Sequence, residues 1–321
     1  TRHGSHLFFI GRQFLWALLS RAAMAVVIRI DLERWAVYSW PMFMLVLGLL
    51  ALVFVMPARN GSHRWIFLGP MTVQPSELFK FVTIYFLAWS LANPNRDLTK
   101  LKQMMVPYVP MIGAGLVLIV VEPDLGQTIV IFATVLGLFF LAGAKIKHLV
   151  TAVVPSAAAA AFMVFVVGYK KDRVMDYLGA VLDPLKGSYQ SEQAALSISA
   201  GGLFGTGLGD GRQKLFFLPY PHTDFIFAAS GEEVGLIGLL FLLSLYAYIL
   251  FRGFRIAAEQ PDRFGFLLAS GVVLSLFINV AVNICVVPRL LPVTGLPLPF
   301  MSYGGSSLLI STVAIAVLFS L

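Results

Sequence analysis

Long apolar segments separated by short polar ones dominate the pattern along this chain. A run of about 18 uncharged residues can cross about 30 Å of hydrocarbon as a helix. The runs are continuous rather than alternating, which favours helices over the strands of a membrane barrel. We therefore predict an all-α polytopic membrane protein with nine spans, at residues 7–28, 36–56, 76–92, 104–121, 127–143, 149–167, 233–251, 264–287 and 304–321.

Composition agrees with this class. Of 321 residues, 59% are hydrophobic and only 12% are charged, and the mean hydropathy is +0.86. We expect one integral-membrane domain, residues 1–321. The net charge of +7 does not indicate nucleic-acid binding, because basic residues in membrane proteins mark cytoplasmic loops and contact anionic lipid. Cys285 is the only cysteine, which excludes an intrachain disulfide and a cysteine metal site.

The N-terminal residues show no signal peptide, and the first residue, Thr1, is not methionine. We expect the natural chain to continue upstream with a further helix.

Basic residues in the short loops predict the orientation. One set of alternate loops carries Arg29, Arg34, Arg96, Lys100, Lys102, Lys145, Lys147, Arg252, Arg255 and Arg263. The other short loops carry only Arg59, Arg64 and Arg289. The first set is therefore cytoplasmic, which places the visible N-terminus outside and the C-terminus inside. Four segments then lie on the outer face: 57–75, 122–126, 168–232 and 288–303.

The 168–232 segment is long for a connection, and such loops are usually functional. We expect a short amphipathic helix near Glu192–Ser199, followed by the glycine-rich stretch Gly201–Gly211. These glycines permit tight backbone or close approach to a ligand. They do not form a nucleotide-binding pattern, because no strand precedes them and no Gly-Lys-Ser/Thr follows.

Two outer segments carry ionisable residues next to spans. In the first, Ser76 is predicted to cap a helix in which Glu77 and Lys80, spaced i and i+3, can pair. One interpretation is an interfacial anchor, with Trp65 in the aromatic belt and Lys80 snorkelling. The other is a polar cavity lined by Arg64, Gln74, Glu77 and Lys80. In the second segment, Asp124 either caps the next helix or contacts a metal or substrate.

Two further outer segments carry the strongest candidate chemistry. The run Pro219–Glu233 places His222, Asp224 and two glutamates at a membrane edge, where charged groups are costly. The segment 291–307 is too rich in proline and glycine to continue as a helix. The last span begins at the end of this segment. Its N-terminus either binds an anion such as a phosphate or forms a capped re-entrant turn. The candidate contacts here are Ser302, Tyr303 and Ser306.

Together these segments resemble the SEDS family (shape, elongation, division and sporulation), which includes the RodA and FtsW branches. The resemblance rests on Arg64-Trp65, Gln74–Lys80, Pro123–Gly126, His222–Phe227 with Glu232-Glu233, Leu291–Gly295 and Pro299–Ser307, in the family's order across nearly the whole chain. Val293-Thr294 is more similar to the RodA type. Family members usually have ten transmembrane helices, so nine visible spans fit a missing first one. The segment Val286–Arg289 departs from the glycine-containing sequence expected there.

The resemblance implies a peptidoglycan glycosyltransferase of the bacterial cytoplasmic (inner) membrane that polymerises lipid II on its outer face and supports cell elongation and shape. It implies a class B penicillin-binding protein as partner and no organic cofactor. A lipid II flippase or transporter, or a noncatalytic scaffold for cell-wall synthases, are the alternatives. The polar residues cluster on the outer face and most spans lack them at mid-membrane, which favours the polymerase.

The resemblance also implies residue roles. Asp224 aligns with the family's outer-loop aspartate and is expected to act as general base, with His222 orienting the substrate or Asp224 itself. The anionic leaving group would be countered by Arg64, Lys80, Lys214 or a divalent cation, Mg²⁺ or Mn²⁺, held by Asp224 or Asp124. The remaining candidate substrate contacts are Trp65, Gln74, Glu77, Asp124, His222, Ser302, Tyr303 and Ser306.

Overall fold

The computed structural model describes residues 6–58, 62–69, 71–106, 108–182, 189–212, 217–219 and 221–321. Within them the nine predicted segments are helical over most of their length. The helices are α1 (His6–Val27), α2 (Leu32–Trp35), α3 (Ser39–Leu52), α4 (Pro75–Ala92), α5 (Leu101–Met105), α6 (Tyr108–Val121), α7 (Leu125–Leu141), α8 (Ile146–Phe165), α9 (Lys171–Leu182), α10 (Tyr189–Gly201), α11 (Ile226–Glu259), α12 (Arg263–Val286) and α13 (Gly305–Ser320).

Length and composition make five helical stretches of the described chain candidates for membrane spans. They are Leu32–Val55, Leu101–Val121, Ile146–Phe165, Ile226–Glu259 and Arg263–Val286. Two further apolar helices, α7 and α13, are shorter. The polytopic membrane class predicted from the sequence is therefore confirmed.

The chain divides into two compact units that share it in interleaved segments. Unit 1 comprises Thr1–Lys145, Leu250–Ile278 and Pro299–Leu321, and unit 2 comprises Ile146–Ile249 and Asn279–Leu298. The single integral-membrane domain stays a prediction.

Aromatic packing forms the centre of unit 1. The ring of Phe43 on α3 lies 5.3 Å from that of Phe79 and 5.2 Å from that of Phe86, both on α4. Tyr108 on α6 contacts Phe86 at 6.2 Å between ring centroids. These rings bury large apolar areas and favour tilted contacts, so they fix α3, α4 and α6 together.

A short hairpin that the sequence did not predict leads into α4. Strands β1 (Ile66–Leu68) and β2 (Met71–Val73) pair antiparallel, with Ile66 opposite Val73. The hairpin holds Arg64 and Gln74 at its two ends. It therefore places two candidate site residues at the start of α4.

In unit 2, the described residues of the predicted 168–232 loop contain more helix than expected. Helix α9 was not predicted, and the short helix expected near Glu192–Ser199 extends over Tyr189–Gly201. The span predicted at 233–251 begins earlier, at Ile226, because the backbone stays helical up to a break at Gly235 with φ +66° and ψ −171°. The sequence analysis placed the start of this span at its charged residues and missed the apolar turn before them.

The glycine-rich stretch packs backbone against backbone at that break. The N–H groups of Thr206 and Gly207 donate to the carbonyls of Glu232 and Glu233 at 2.9 and 3.1 Å, and Leu236 N–H donates to Gly202 at 2.9 Å. The two glutamate carboxylates accept from the backbone N–H groups of Arg212 and Gly209. In the structure, then, both glutamates stabilise the glycine-rich stretch.

A side chain at Gly205 should destabilise this junction. Gly205 has φ +81°, and a Cβ there would lie 2.1 Å from the Glu233 carbonyl oxygen. We expect Gly205→Ala to lower the unfolding free energy by about 2 kcal/mol or more, because it adds left-handed strain to a clash with backbone. The measurement is thermal unfolding in detergent.

Gly48→Ala on α3 is the matched control for this variant. A Cβ at Gly48 meets nothing within 4 Å, so its helix should be unchanged or up to about 1 kcal/mol more stable. Equal melting temperatures for the Gly205 and Gly48 variants would contradict the backbone packing described for Gly205.

Candidate active site

A buried ion pair lies at the start of α4 in unit 1. Lys80 Nζ lies 2.7 Å from Glu77 Oε2, and the two side chains are only 10% and 1% exposed. This confirms the predicted i, i+3 pairing. Because the ammonium group is buried, Lys80 does not snorkel as the interfacial-anchor interpretation required.

Polar side chains from the next helices complete this pair. Gln127 Nε2 donates to Glu77 Oε1 at 2.5 Å, and Gln74 Nε2 donates to Asp124 Oδ2 at 2.8 Å. Asp124 caps α7, as predicted, since its Oδ1 accepts from the Gln127 N–H at 3.2 Å. The polar network thus links the hairpin, α4 and the α6–α7 turn, and it brings together four predicted site residues: Gln74, Glu77, Lys80 and Asp124.

Arg64 also stabilises the α6–α7 turn. Its Nε donates to the carbonyl of Glu122 at 2.8 Å, and its Nη2 donates to the carbonyl of Pro123. These carbonyls lie just after the last turn of α6, where a cation also interacts favourably with the negative end of the helix dipole. The guanidinium group therefore has a structural role, and the neighbouring Trp65 is half-buried.

Electrostatics in this turn favour neutral carboxyl groups. Burial, with the negative charge of Asp124 as a second cause, raises the pKa of Glu122 to about 8, against a smaller opposing effect of Arg64. Neither carboxylate oxygen of Glu122 has a hydrogen-bond partner among the described residues. Burial also raises the pKa of Asp124, opposed by Arg64 and by the Gln127 N–H. The buried turn thus favours the neutral form of the Glu122 carboxyl group.

Ser76 does not cap α4, contrary to the sequence prediction. The cap position is Gln74, with no side-chain cap bond, and the Ser76 hydroxyl is buried without a partner among the described residues. The Glu77 N–H instead donates to the Gln74 carbonyl at 3.2 Å. Pro75 at the first helical position already presets the helical backbone, so a hydroxyl cap is not required.

At the start of α13, the predicted contacts lie mostly inside unit 1. Ser302 and Ser306 are 4% and 3% exposed, and Tyr303 is half-buried. The ring of Trp16 on α1 lies where a Cβ of Gly305 would be, at 2.0 Å. This ring covers one side of the helix N-terminus, and the anion site there stays a prediction.

Asp224 lies in unit 2, in a turn that ends directly before α11. Its neighbour Phe225 and the next aromatic residue, Phe227, are only 1% and 5% exposed, so they anchor the turn in the unit. Asp224 itself is half-buried and His222 is exposed. The buried rings therefore fix the turn that carries the half-buried Asp224.

Asn283 on α12 fixes the backbone of this turn. Its Nδ2 donates to the carbonyl of Asp224 at 3.2 Å and to the carbonyl of Leu296 at 2.6 Å. The preceding residue, Gly295, has φ +74°, and a Cβ there would lie 3.6 Å from Asp224 Oδ2. One amide thus ties the candidate base to the Pro-Val-Thr-Gly segment that the family resemblance singled out.

Two predicted contributions to the site have no structural account. Lys214 lies outside the described residues. For the divalent cation, no group of three or more His, Cys, Asp and Glu side chains in the described chain could hold a metal ion. Each Asp124 oxygen accepts one protein hydrogen bond, and the divalent cation stays a prediction.

Sequence reasoning missed Asn283, Gln127 and Glu122. Asn283 lies in an apolar span, where an amide side chain is a signal of a buried polar contact. Gln127 follows the predicted outer segment 122–126 and was not among the candidate residues. Its role depends on a side-chain contact 50 residues away in the chain, which spacing does not show.

Comparisons with known proteins identify the class and then the family. The apolar helices define the class, a polytopic helical membrane protein. The sequence pattern of the family described as "Cell cycle protein" (FtsW/RodA/SpoVE) matches residues 1–321. The chain belongs to this family, and the SEDS resemblance is confirmed.

Curated relatives cover nearly the whole chain. It is 39% identical over 314 residues to stage V sporulation protein E of Bacillus subtilis, covering 97% of this chain and 86% of that protein. It is 38% identical over 314 residues to the probable peptidoglycan glycosyltransferase FtsW of Geobacter metallireducens, covering 97% and 84%.

Solved structures share the fold. One comes from work on the structural coordination of polymerization and crosslinking by a peptidoglycan synthase complex, with TM-score 0.82, 28% identity and coverage of 97% of this chain and 88% of that one. Another is the rod shape determining protein RodA of Thermus thermophilus, with TM-score 0.73, 27% identity and coverage of 99% and 88%.

The buried pair in unit 1 should show strong energetic coupling. Glu77→Gln leaves the Lys80 ammonium buried without a carboxylate, which should cost about 3–5 kcal/mol. The double variant Glu77→Gln/Lys80→Met removes both charges, so it should be less destabilised than the sum of the single variants by about 1–3 kcal/mol. The measurement is a double-mutant cycle on unfolding in detergent.

The exposed pair Arg255–Glu259 is the control for that cycle. Its atoms are equally close, at 2.8 Å, but its side chains are 60% and 63% exposed. Its coupling should stay below about 1 kcal/mol. Equal coupling in the two pairs would contradict the buried environment of Glu77.

Glu122 should make stability depend on pH. Its pKa rises from 4.5 to about 8 on folding, so the folded state keeps a proton that the unfolded chain loses. The resulting stability is fully present below pH 4.5 and is lost as the pH rises to about 8. We expect the melting temperature to fall over this window in the wild type and to fall less in Glu122→Gln. The exposed Glu259→Gln variant should keep the wild-type slope, and three parallel curves would contradict a neutral Glu122.

Proposed function

We propose that this protein is a peptidoglycan glycosyltransferase that polymerises lipid II into glycan strands, with Asp224 as the catalytic base. Family membership and the FtsW relative support the activity. The observation that carries the residue assignment is the anchored turn, which presents a half-buried carboxylate beside Gly295. Asn283 restrains the same turn through its backbone.

The reaction joins two lipid-linked sugars. A hydroxyl oxygen of the acceptor attacks the anomeric carbon of the donor, a new C–O bond forms, and the bond to the diphosphate breaks. The hydroxyl proton passes to the Asp224 carboxylate, and the electron pair of the broken bond leaves with the lipid diphosphate. Attack from the face opposite the leaving group converts an α-linked donor into a β-(1→4) product. A positioned base of this kind contributes about 10²–10⁴-fold.

A fixed base is more effective than a mobile one, because its orientation need not be established in each turnover. Buried Phe225 and Phe227 restrain the turn on one side, and Asn283 restrains its backbone on the other. Asp224 itself is half-buried, and its carboxylate is proposed to meet the sugar hydroxyl. His222, two residues away and exposed, is suited to contact the substrate rather than to support the turn.

The polar network of unit 1 is proposed to support substrate binding. Lys80 is charged but already neutralised by Glu77, so the pair offers a fixed dipole rather than a free cation. Arg64 uses two donors on backbone carbonyls and orders the α6–α7 turn. We propose that four side chains of the network act together by keeping one side of the substrate site rigid: Gln74, Glu77, Lys80 and Asp124. The proposed substrate contacts are Trp65, Ser302, Tyr303, Ser306 and Lys214.

The site is proposed to face the outer side of the cytoplasmic membrane, with the C-terminus inside, in accordance with the loop charges. We propose a class B penicillin-binding protein as partner. The structure from a peptidoglycan synthase complex, in which polymerization and crosslinking are coordinated, supports this assignment. The RodA neighbour and Val293-Thr294 support a role in elongation and shape.

A transporter is the second candidate, and one observation favours it. Helix α12 carries four buried polar side chains spaced along its length, Ser270, Ser275, Asn279 and Asn283, each at most 5% exposed. The sequence analysis had treated polar residues at mid-span as rare. Polar groups along a span are a feature of substrate paths. Asn283, however, is occupied by two backbone carbonyls.

Asp224→Asn tests the polymerase. The amide keeps the size of the side chain but cannot accept the proton, so polymerisation of labelled lipid II should fall by about 10²–10⁴-fold. The assay uses the full chain with its cognate partner in detergent. Melting temperature and partner binding should stay at the wild-type level.

Asp172→Asn is the matched control, since Asp172 is an exposed aspartate in the first turn of α9. It should polymerise like the wild type. Wild-type product from Asp224→Asn would remove this residue from the mechanism. If Asp224→Asn transfers lipid II across vesicle membranes as well as the wild type does, and the wild type forms no polymer, the result would favour the transporter.

A further inference from the structure

Arg289 occupies an unfavourable backbone conformation. Its φ is +61°, in the left-handed region that glycine adopts readily and other residues avoid. The family resemblance had led us to expect a glycine-containing sequence in this segment. Arg289 lies in the turn that follows α12, where its neighbour Leu290 donates its N–H to the Cys285 carbonyl at 3.0 Å. Non-glycine residues in unfavourable backbone conformations also cluster at functional sites, so the surroundings of this side chain bear on function.

The Arg289 side chain lines a cleft in unit 2. The cleft has a volume of about 260 Å³, and its polar lining includes Arg173, Asp176, Tyr177, Tyr189, Ser191 and Arg289. Tyr177 Oη donates to the carbonyl of Leu290 at 2.8 Å, and Arg173 Nη1 donates to the carbonyl of Val293 at 3.4 Å. These bonds hold α9 against the 289–293 segment and keep the cleft formed.

The charged side chains that line the cleft favour an anionic ligand. Two guanidinium groups and one carboxylate line the cleft, and no carboxylate of the described residues lies within 4 Å of the Arg173 side chain. Guanidinium groups bind carboxylate and phosphate oxygens in pairs. The Tyr189 hydroxyl adds a donor, whereas the Tyr177 hydroxyl already donates to the Leu290 carbonyl. The volume suits one charged group rather than a whole lipid-linked sugar.

The cleft is connected to the candidate base by a short piece of chain. Val293 lines the cleft, and Gly295, two residues later, lies beside the Asp224 carboxylate. Leu296 is tied to the Asp224 turn through Asn283. An anion bound in the cleft would therefore contact the same chain segment that borders Asp224.

We propose that Arg289 and Arg173 form an oxyanion-binding site that holds an anionic group of the substrate next to Asp224. The inference rests on the proposed glycosyltransferase function. The group is a phosphate of the lipid diphosphate or a carboxylate of the attached peptide, because both present the same paired oxygens. Arg289 acts in binding and specificity rather than in proton transfer.

Arg289→Gly in the full chain with its partner tests this site. Glycine relieves the left-handed strain, so the melting temperature should stay the same or rise. The KM for lipid II should rise about tenfold or more, as expected for loss of a charged hydrogen bond, while kcat stays within about twofold. A residue retained only for stability would show the reverse, a lower melting temperature and an unchanged KM, and that result would overturn the proposal.

Lys170→Gly is the matched control. Lys170 is also a cation with positive φ, +51°, at the start of α9, but it does not line the cleft. Its replacement should leave the KM unchanged. An equal rise of KM in both variants would indicate a general effect of charge and would overturn a site at Arg289.

Direct binding separates the two sources of the oxyanion and separates this inference from the proposed function. Calorimetry on the wild type and on Arg289→Gly would use lipid II and a lipid II whose peptide carboxylates are amidated. A loss of affinity in Arg289→Gly for both ligands assigns the phosphate, and a loss for unmodified lipid II alone assigns the peptide. Equal affinities of the two proteins for both ligands would overturn the site even if the wild type polymerises. Binding that depends on Arg289 without polymerisation would refute the glycosyltransferase and keep the anion site.

Discussion

The burial of charge without water is the constraint on which the polar part of unit 1 depends. Glu77 and Lys80 are removed from solvent, and such groups are tolerated only when paired and hydrogen-bonded. Gln127 satisfies the second oxygen of Glu77, and Gln74 and Asp124 extend the network to the hairpin and the α6–α7 turn. Removing any one member would leave a partner buried and unsatisfied. The resulting rigidity is what a wall of a substrate site requires.

Unit 2 uses a different device, in which backbone rather than side-chain chemistry fixes the geometry. The glycine-rich stretch meets the break at Gly235 through carbonyl and N–H groups, and a single amide, Asn283, ties two chain segments together. Small residues permit the contact at Gly205 and Gly295. Precise placement of Asp224 therefore depends on residues that carry no charge and would not be selected by a search for chemistry.

Structural features that depend on local periodicity could be predicted well from the sequence. Features that depend on contacts between residues far apart in the chain could not. Apolar runs identified the helices, and the i, i+3 spacing identified the Glu77–Lys80 pair. The α4 cap was misassigned to Ser76, because proline at the first helical position makes a hydroxyl cap unnecessary. The β1–β2 hairpin, helix α9 and the role of Asn283 were missed, since short strands, a polar loop helix and a lone amide acquire their meaning only from their tertiary partners.

The spacing of the Glu77–Lys80 pair has a consequence for the order in which the chain enters the membrane. Gln127 and Asp124 follow α4 in the chain, after α5 and α6, so they are synthesised later than this helix. Because the two charges lie one turn apart on the same helix, they neutralise each other as soon as that helix forms. The segment can therefore insert as a self-compensated unit, and the later helices dock onto a pair that is already formed.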